Sequence, residues 1–456
     1  MNRVAGRAGI AILLVLLLLA GFVFFLCEYV FSAGDWVIFA GSPHVYNGGN
    51  IGCGAVTDRN GTMLLDMGGT RNYAEAEKVR MSTVHWLGDR NGNINAPALS
   101  TYASELAGFD LLNGVYSYAG EGGVAELTLS AQLQTTAMEA MGDRKGTVGI
   151  YNSKTGELLC AVTTPTYDPD NPPQITDENR EELEGVYYNR FVQSGYVPGS
   201  IFKIVTLAAA IETIPDVTDQ TFVCRGSCKI GNTKIICDGT HWEQDLKTAF
   251  RNSCNCAFAE LALQIGAETL TRYVEQFGIT KAVSFDGVTT AEGNFDLSNA
   301  EDSDLAWSSV GQYTDIVNPC AFLNFVGSIA GGGKGVQPYL VQRIYSGGIN
   351  SYSARKYSGE RIMSAATAEI LQEYMGFNVT DKYGSHNFPG LTVCAKTGTA
   401  EVGGDKKPNA MIAGFVSDEQ YPLAFVIAVE DGGYGSEICV PILSKVLTAC
   451  KAELDA

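Results

Sequence analysis

Basic residues are scarce and nowhere gathered. The 456-residue chain carries 31 Lys and Arg against 50 Asp and Glu, a formal net charge of −19. A nucleic-acid binder shows basic stripes or clusters; none occurs here, so no nucleic-acid partner is expected. Acidity of this kind favours solubility and opposes binding to anionic surfaces. Histidine is rarer still, at four residues. No His-Glu-x-x-His pair is present, which argues against a zinc-peptidase helix. No Gly-x-Ser-x-Gly elbow occurs either. Gly331-Gly332-Gly333-Lys334-Gly335 lacks the spacing, and the Ser or Thr after Lys, of a phosphate-binding Walker loop. It reads as a turn. Glycine is plentiful, at 52 residues, but dispersed and without a collagen-like period. Repeats and low-complexity tracts are absent.

Long apolar runs are also absent, with one exception. Arg3 and Arg7 precede an unbroken apolar stretch over 8–27, about the ~20 residues that cross a hydrocarbon core. A cleaved signal peptide has a shorter apolar region, about 7–15 residues, and Ser32-Ala33-Gly34 is a weak cleavage site. An uncleaved anchor is therefore expected, with residues 1–7 held in the cytoplasm by the positive charges and everything after Glu28 outside. An extracytoplasmic location permits disulfides. Cys224, Cys228 and Cys237 cluster in sequence. Three thiols without a tight Cys-x-x-Cys pair fall short of a tetrahedral metal set, so the expectation is no metal and either a local disulfide, such as Cys224 to Cys237, or, in an organism living without oxygen, free thiols throughout.

Two regions follow the anchor. From 28 to about 125, Asp58-Arg59-Asn60-Gly61 is a turn signal between short apolar runs, which suggests a hairpin in a small extended module. From about 126 a helix begins near Ser130. A hairpin comes next, with strands over 147–151 and 158–162 joined by Ser153-Lys154-Thr155-Gly156. Residues 201–211 are apolar nearly all round, the mark of a buried helix. Strands over 391–397, 410–416 and 423–429 and a helix over 440–449 close the chain. Two strands early, three late and helices between predict an α+β fold: one five-stranded antiparallel sheet flanked by helices.

Three short motifs carry chemistry, and each occurs twice. Ser-x-x-Lys stands at Ser200/Lys203 and Ser353/Lys356, Ser-x-Asn at Ser253/Asn255 and Ser385/Asn387, and Lys-Thr-Gly at Lys154 and Lys396. Context separates the copies. Ser200 follows Pro198-Gly199 and opens the buried helix, where orphan amides and the macrodipole stabilise developing negative charge. Lys203 lies one turn on, on the same face, and burial would lower its pKa so that a neutral amine could act as base. Ser353 sits among polar residues with no buried helix behind it. Ser253-Cys254-Asn255 links two helical stretches, whereas Ser385 lies in an ordinary loop. Lys396-Thr397-Gly398-Thr399 ends a strong strand, and Gly398 allows close approach of a ligand backbone. Lys154 is in the hairpin turn. Only the chosen copies run in the order Ser-x-x-Lys, Ser-x-Asn, Lys-Thr-Gly, the signature of β-lactamases and penicillin-binding proteins.

From about residue 127 onward the sequence resembles a class B penicillin-binding protein. Gly195-Tyr196-Val197-Pro198-Gly199-Ser200-Ile201-Phe202-Lys203 is similar to the nucleophile segment. Asn252-Ser253-Cys254-Asn255 and Lys396-Thr397-Gly398-Thr399-Ala400-Glu401 resemble the second and third motifs, and Gly311-Gln312 resembles an element before a long helix, although the residues after it depart from the family pattern. The resemblance implies a peptidoglycan D,D-transpeptidase, inhibited covalently by β-lactams, that needs no cofactor. Its domains would be an anchor over 8–27, a short pedestal over 28–125 and a transpeptidase domain over 126–456. Ser200 would attack the penultimate D-Ala carbonyl of a stem peptide. Lys203 would move protons, Ser253 would relay one to the leaving amine, and Asn255 would orient Lys203 and the substrate amide. Lys396 and Thr397 would hold the substrate carboxylate, while Gly398 permits its approach. The N–H groups of Ser200 and Thr399 would form the oxyanion hole. Too little chain is left for a glycosyltransferase domain, so a separate membrane glycosyltransferase of the shape, elongation, division and sporulation type is the expected partner. A β-lactamase or D,D-carboxypeptidase of the same fold, or a catalytically idle scaffold, remain alternatives.

Overall fold

The computed structural model describes residues 2–456 apart from 40, 43, 44, 48, 49, 69, 113, 115–121 and 405. An exposed apolar helix opens the chain. α1 (Asn2–Val37) contains the expected run at 8–27, and from Val4 onward it reaches a mean hydropathy of 3.2 with none of that window buried. Its length and composition fit a single membrane crossing, since ~20 apolar residues suffice.

α2 (Ala131–Met141) starts where Ser130 caps it by accepting from the Leu133 amide. Its Leu133, Ala137 and Met141 are buried at i, i+4 and i+8. The hairpin of β1 (Gly146–Asn152) and β2 (Leu158–Thr164) follows, its turn closed by Asn152 Oδ1 accepting from the Lys154 and Thr155 amides. Helices α3 (Lys203–Thr213), α4 (Asn255–Ile265), α5 (Pro319–Ala330) and α6 (Ala365–Asn378) intervene. β3 (Val393–Ala400), β4 (Asn409–Val416) and β5 (Leu423–Val429) then complete the sheet, and α7 (Gly435–Asp455) ends the chain.

The five strands pair in the order β3-β4-β5-β1-β2, antiparallel throughout. Every residue of β4 and β5 is buried, as strands covered on both faces must be. α2 and α7 cover one face, and α5 and α6 the other. β3 lies at one edge and β2 at the other. The sequence reading ended β3 at the Lys-Thr-Gly motif, but pairing continues to Ala400, opposite Asn409. The motif therefore lies within this edge strand and shares its rigidity.

A second, six-stranded sheet lies in the N-terminal region. Its strand order is Ile349–Ser353, Val341–Ser346, Val124–Leu127, Ala55–Thr57, Met63–Asp66 and Asn72–Tyr73. The hairpin expected around 58–61 is its Ala55–Thr57/Met63–Asp66 pair. The division expected at 125/126 falls inside Val124–Leu127, and two strands come from the far side of it, from 341–353. A sheet edge needs a partner for its backbone groups. Here the later segment supplies it, tying the two halves together.

Candidate active site

The Ser200 turn is built on close backbone contacts. Gly199–Phe202 forms a short 3-10 turn that runs directly into α3. Gly199 has φ +53°, and a Cβ there would stand 2.7 Å from the Thr399 carbonyl oxygen. Gly398 is equally constrained, because its Cβ would lie 2.9 Å from the Pro198 carbonyl oxygen. Glycine at both positions lets the Ser200 turn seat against the edge of β3. The Gly311 carbonyl accepts from the Gly199 amide at 2.8 Å, so the Gly311-Gln312 element buttresses the Ser200 turn.

Lys203 is the centre of the cluster. Its Nζ lies 2.8 Å from Ser200 Oγ, 3.3 Å from Ser253 Oγ and 2.8 Å from Asn255 Oδ1. The side chain is fully buried, at the start of a helix whose Ile204, Val205, Leu207, Ala208 and Ala209 are buried too. Burial pulls its amine down from the ordinary lysine value to about 7. Near neutrality it is therefore a base with a free lone pair, 2.8 Å from a hydroxyl.

Ser253 ends the helix Leu246–Asn252 in the left-handed conformation, φ 57°. That conformation is uncommon for a residue with a Cβ. It turns the chain into α4 and aims Oγ between two amines, 3.3 Å from Lys203 Nζ and 3.0 Å from Lys396 Nζ. Asn255 opens α4, and its Nδ2 donates to the Ile236 carbonyl at 2.8 Å, which leaves Oδ1 facing Lys203. Lys396 is also buried. Burial, then Lys203 and Lys382, hold its amine well below the usual range. It donates to the Thr397 carbonyl at 2.8 Å.

Ser200, Lys203, Ser253, Asn255 and Lys396 thus form one connected chain of polar atoms. Thr397 adjoins it: its N–H donates to Tyr383 Oη at 3.1 Å, and its hydroxyl lies 3.0 Å from the same oxygen. That amide therefore points away from β4. In a strand Thr399 has the same parity, so its N–H lies on the same free edge, beside the Ser200 turn. A serine hydroxyl beside a buried amine, a second hydroxyl between two amines, and the Ser200 and Thr399 amides are groups that can together perform acyl transfer.

One pH consequence follows. If the free amine of Lys203 is the base, it is lost as pH falls through about 7. Acylation measured with a chromogenic cephalosporin is expected to rise with pH up to that point and then level. About two units lower, only ~1% of the amine is free and the rate should fall about 100-fold. A flat profile across this range would remove Lys203 as the base.

Residues 146–448 match the family model described as "Penicillin binding protein transpeptidase domain". The chain belongs to this family. Among curated relatives, peptidoglycan D,D-transpeptidase PbpA of Mycobacterium tuberculosis is 29% identical over 359 residues, covering 72% of each chain. Among solved structures, the ceftriaxone acyl-enzyme complex of penicillin-binding protein A from M. tuberculosis superposes with a TM-score of 0.76 at 24% identity, covering 87% of this chain and 98% of that one. The D,D-transpeptidase domain of a peptidoglycan glycosyltransferase from Eggerthella lenta superposes equally, TM-score 0.76 at 25% identity, covering 89% and 99%.

The second copies of the penicillin-binding motifs fall elsewhere. Ser353 and Lys356 are exposed at the rim of the six-stranded sheet, Ser385 and Asn387 sit in a short 3-10 turn, and Lys154 is in the β1–β2 turn. Cys394, on the strand of Lys396, is buried, and burial pushes its thiol up to about 12. It packs into the core. Sequence reasoning missed Tyr383, which holds Thr397 from 14 residues away. The preceding helix carries no motif that flags it.

The cysteines follow the free-thiol alternative, not the disulfide. Cys224 and Cys237 are both free thiols, not a disulfide. The counting of local thiols also left out two residues that the fold brings in. Cys254 Sγ lies 3.8 Å from Cys237 Sγ, and His241 Nδ1 lies 3.6 Å from the same sulfur. The donor atoms of Cys224, Cys237, His241 and Cys254 all lie within 4.8 Å of one another.

Proposed function

We propose that the chain is a peptidoglycan D,D-transpeptidase acting through a Ser200 acyl-enzyme. The observation that carries this reading is the buried Lys203 amine, 2.8 Å from both Ser200 Oγ and Asn255 Oδ1. It is supported by the family match and by the activity named for the M. tuberculosis relative.

A stem peptide would lie along the free edge of β3, pairing as an added strand. Lys396 and the Thr397 hydroxyl would receive its terminal carboxylate, and that charge would favour protonation of the Lys396 amine. Ser200 Oγ attacks the penultimate D-Ala carbonyl while Lys203 Nζ takes its proton. The developing oxyanion faces the Ser200 and Thr399 amides, donors of a kind worth ~2.7–4 kcal/mol each. Ser253, in contact with both amines, relays the proton to the leaving D-Ala. An amine from a neighbouring stem then takes the acyl group, with the same groups acting in reverse. β-Lactams would acylate Ser200 in place of the stem peptide. α1 would anchor the enzyme with its catalytic domain outside the membrane, beside a separate membrane glycosyltransferase of the shape, elongation, division and sporulation type. The domains would be the anchor over 8–27, the pedestal over 28–125 and the transpeptidase domain from 126, clasped by the shared sheet.

The test uses a fluorescent penicillin and a stem-peptide mimic with an amine acceptor. The expected result is a long-lived adduct, with D-Ala released in step with cross-linked product. Rapid turnover of the drug would assign a β-lactamase. D-Ala release without cross-linking would assign a carboxypeptidase. A folded chain that forms no adduct and releases no D-Ala would be the idle scaffold.

A further inference from the structure

We propose that Cys224, Cys237, His241 and Cys254 bind one Zn²⁺ ion, and that this ion braces the Ser253–Asn255 turn of the active site. The four ligands come from separated positions. Cys224 ends the strand Thr221–Cys224, and Cys237 follows the strand Thr233–Ile236. His241 precedes the strand Trp242–Asp245, and Cys254 sits between the helix Leu246–Asn252 and α4. Zinc held tetrahedrally with Zn–S distances of about 2.3 Å sets its ligand atoms about 3.7 Å apart. Cys237 Sγ already lies 3.8 Å from Cys254 Sγ and 3.6 Å from His241 Nδ1. Three thiolates and one imidazole are a donor set that suits zinc among the common divalent ions.

The three thiols border the hydrophobic core, and the loop that closes over them is polar. Cys224, Cys237 and Cys254 are buried, yet the loop that carries Cys237 and His241 exposes Asp238, Gly239 and Thr240 and contributes no apolar side chain of its own. The Asn255 amide donates to Cys237 Sγ at 3.3 Å, the kind of contact that stabilises a sulfur ligand. The His241 amide donates to the Cys224 carbonyl at 3.1 Å, which ties two of the ligands through the backbone.

The same contacts join the ion to catalysis. Asn255 Nδ2 is held by the carbonyl of Ile236, the residue next to Cys237. Cys254 lies between Ser253 and Asn255, whose side chains both reach Lys203 Nζ. Clamping Cys237 to Cys254 would fix the orientation of Asn255 and, through it, of Lys203. The ion takes no part in the chemistry and has a positioning role. Cys256 Sγ, 3.6 Å from Cys224 Sγ, lies outside the ligand set.

The experiment uses the full-length chain purified in detergent from zinc-supplemented cells. About one zinc per chain is expected by elemental analysis. Exchange with Co²⁺ should give the strong thiolate charge-transfer and visible bands of a tetrahedral sulfur site. Cys224→Ser and His241→Ala should lose the metal, and Cys228→Ser should keep it. Chelation should slow penicillin acylation about tenfold, the scale of a supporting-group effect, and added Zn²⁺ should restore it. Metal-free protein, or peptide mapping that finds Cys224 joined to Cys256 and Cys237 to Cys254, would overturn the site. Metal retained after both substitutions would overturn the ligand assignment. Acylation unchanged on chelation would overturn the bracing. The wild-type metal content and cobalt spectrum do not depend on any variant folding. They are also independent of the transpeptidase reading: a zinc-loaded chain that forms no adduct would sink that reading and leave this one standing.

Discussion

Replacing Ser200 by Ala is expected to abolish the penicillin adduct outright, while Ser353→Ala leaves it unchanged. The two serines have the same local motif, so the pair isolates what the tertiary setting adds. Ser200 Oγ has an amine at 2.8 Å, and the free edge of β3 lies beside its turn. Without the hydroxyl no covalent bond can form, and turnover of a stem peptide should fall by about 10⁴-fold or more, as when a nucleophile is removed from other acyl-transfer sites. Ser353 is exposed at the end of Ile349–Ser353, where a substitution costs within about 0.5 kcal/mol of stability. Gel fluorescence after labelling checks both variants, and far-UV circular dichroism verifies that each is folded. An adduct that survives Ser200→Ala would move the nucleophile elsewhere.

Lys203→Met should reduce acylation by about 10²–10⁴-fold, the usual contribution of a positioned base, with no loss of thermal stability. The buried amine is the reason for the second half. Its value in the folded chain is about 7, below the ordinary 10.5. Between those values the unfolded chain binds the extra proton, so stability contributed by this group is present above 10.5 and is lost as pH falls through about 7. A Met of similar reach removes that cost and should flatten this part of the stability–pH curve. Lys203→Arg makes the complementary point. A guanidinium stays charged, so the cation is kept and the base is lost, and acylation should fall as far as with Met. Full acylation in Lys203→Arg would show that a positive charge, not a proton acceptor, is what Ser200 requires. Stopped-flow acylation and thermal melts across pH measure both effects.

Much of the fold could be read before the structure. The run at 8–27 lies within α1 because twenty apolar residues in a row have few other uses. Short apolar runs and turn residues located all five strands of the central sheet, since each is a local pattern bounded by local punctuation. The edge strand was drawn three residues short, because the Lys-Thr-Gly-Thr stretch looks polar. Its pairing with β4 is made by backbone groups, which leave no mark on side-chain chemistry. The strand Val341–Ser346 was not recognised as a partner of Val124–Leu127, because pairing across more than 200 residues leaves no local trace.

The candidate site divides in the same way. The sequence by itself singled out the candidate residues, for the order of three motifs and the buried helix behind Ser200 are properties of the chain. What the tertiary structure decided is their convergence. It brings Lys203 to Ser253 and Asn255 across about 50 positions, and Lys396 to Ser253 across 143. It sets Tyr383 behind Thr397 and gathers four metal-competent ligand atoms where one expectation was a disulfide. The physical reason is range. Helix, strand and turn preferences act over a few residues and are written in neighbouring side chains. Burial, which makes an amine basic near neutrality, and proximity, which turns scattered thiols and an imidazole into a ligand set, exist only once distant segments pack together.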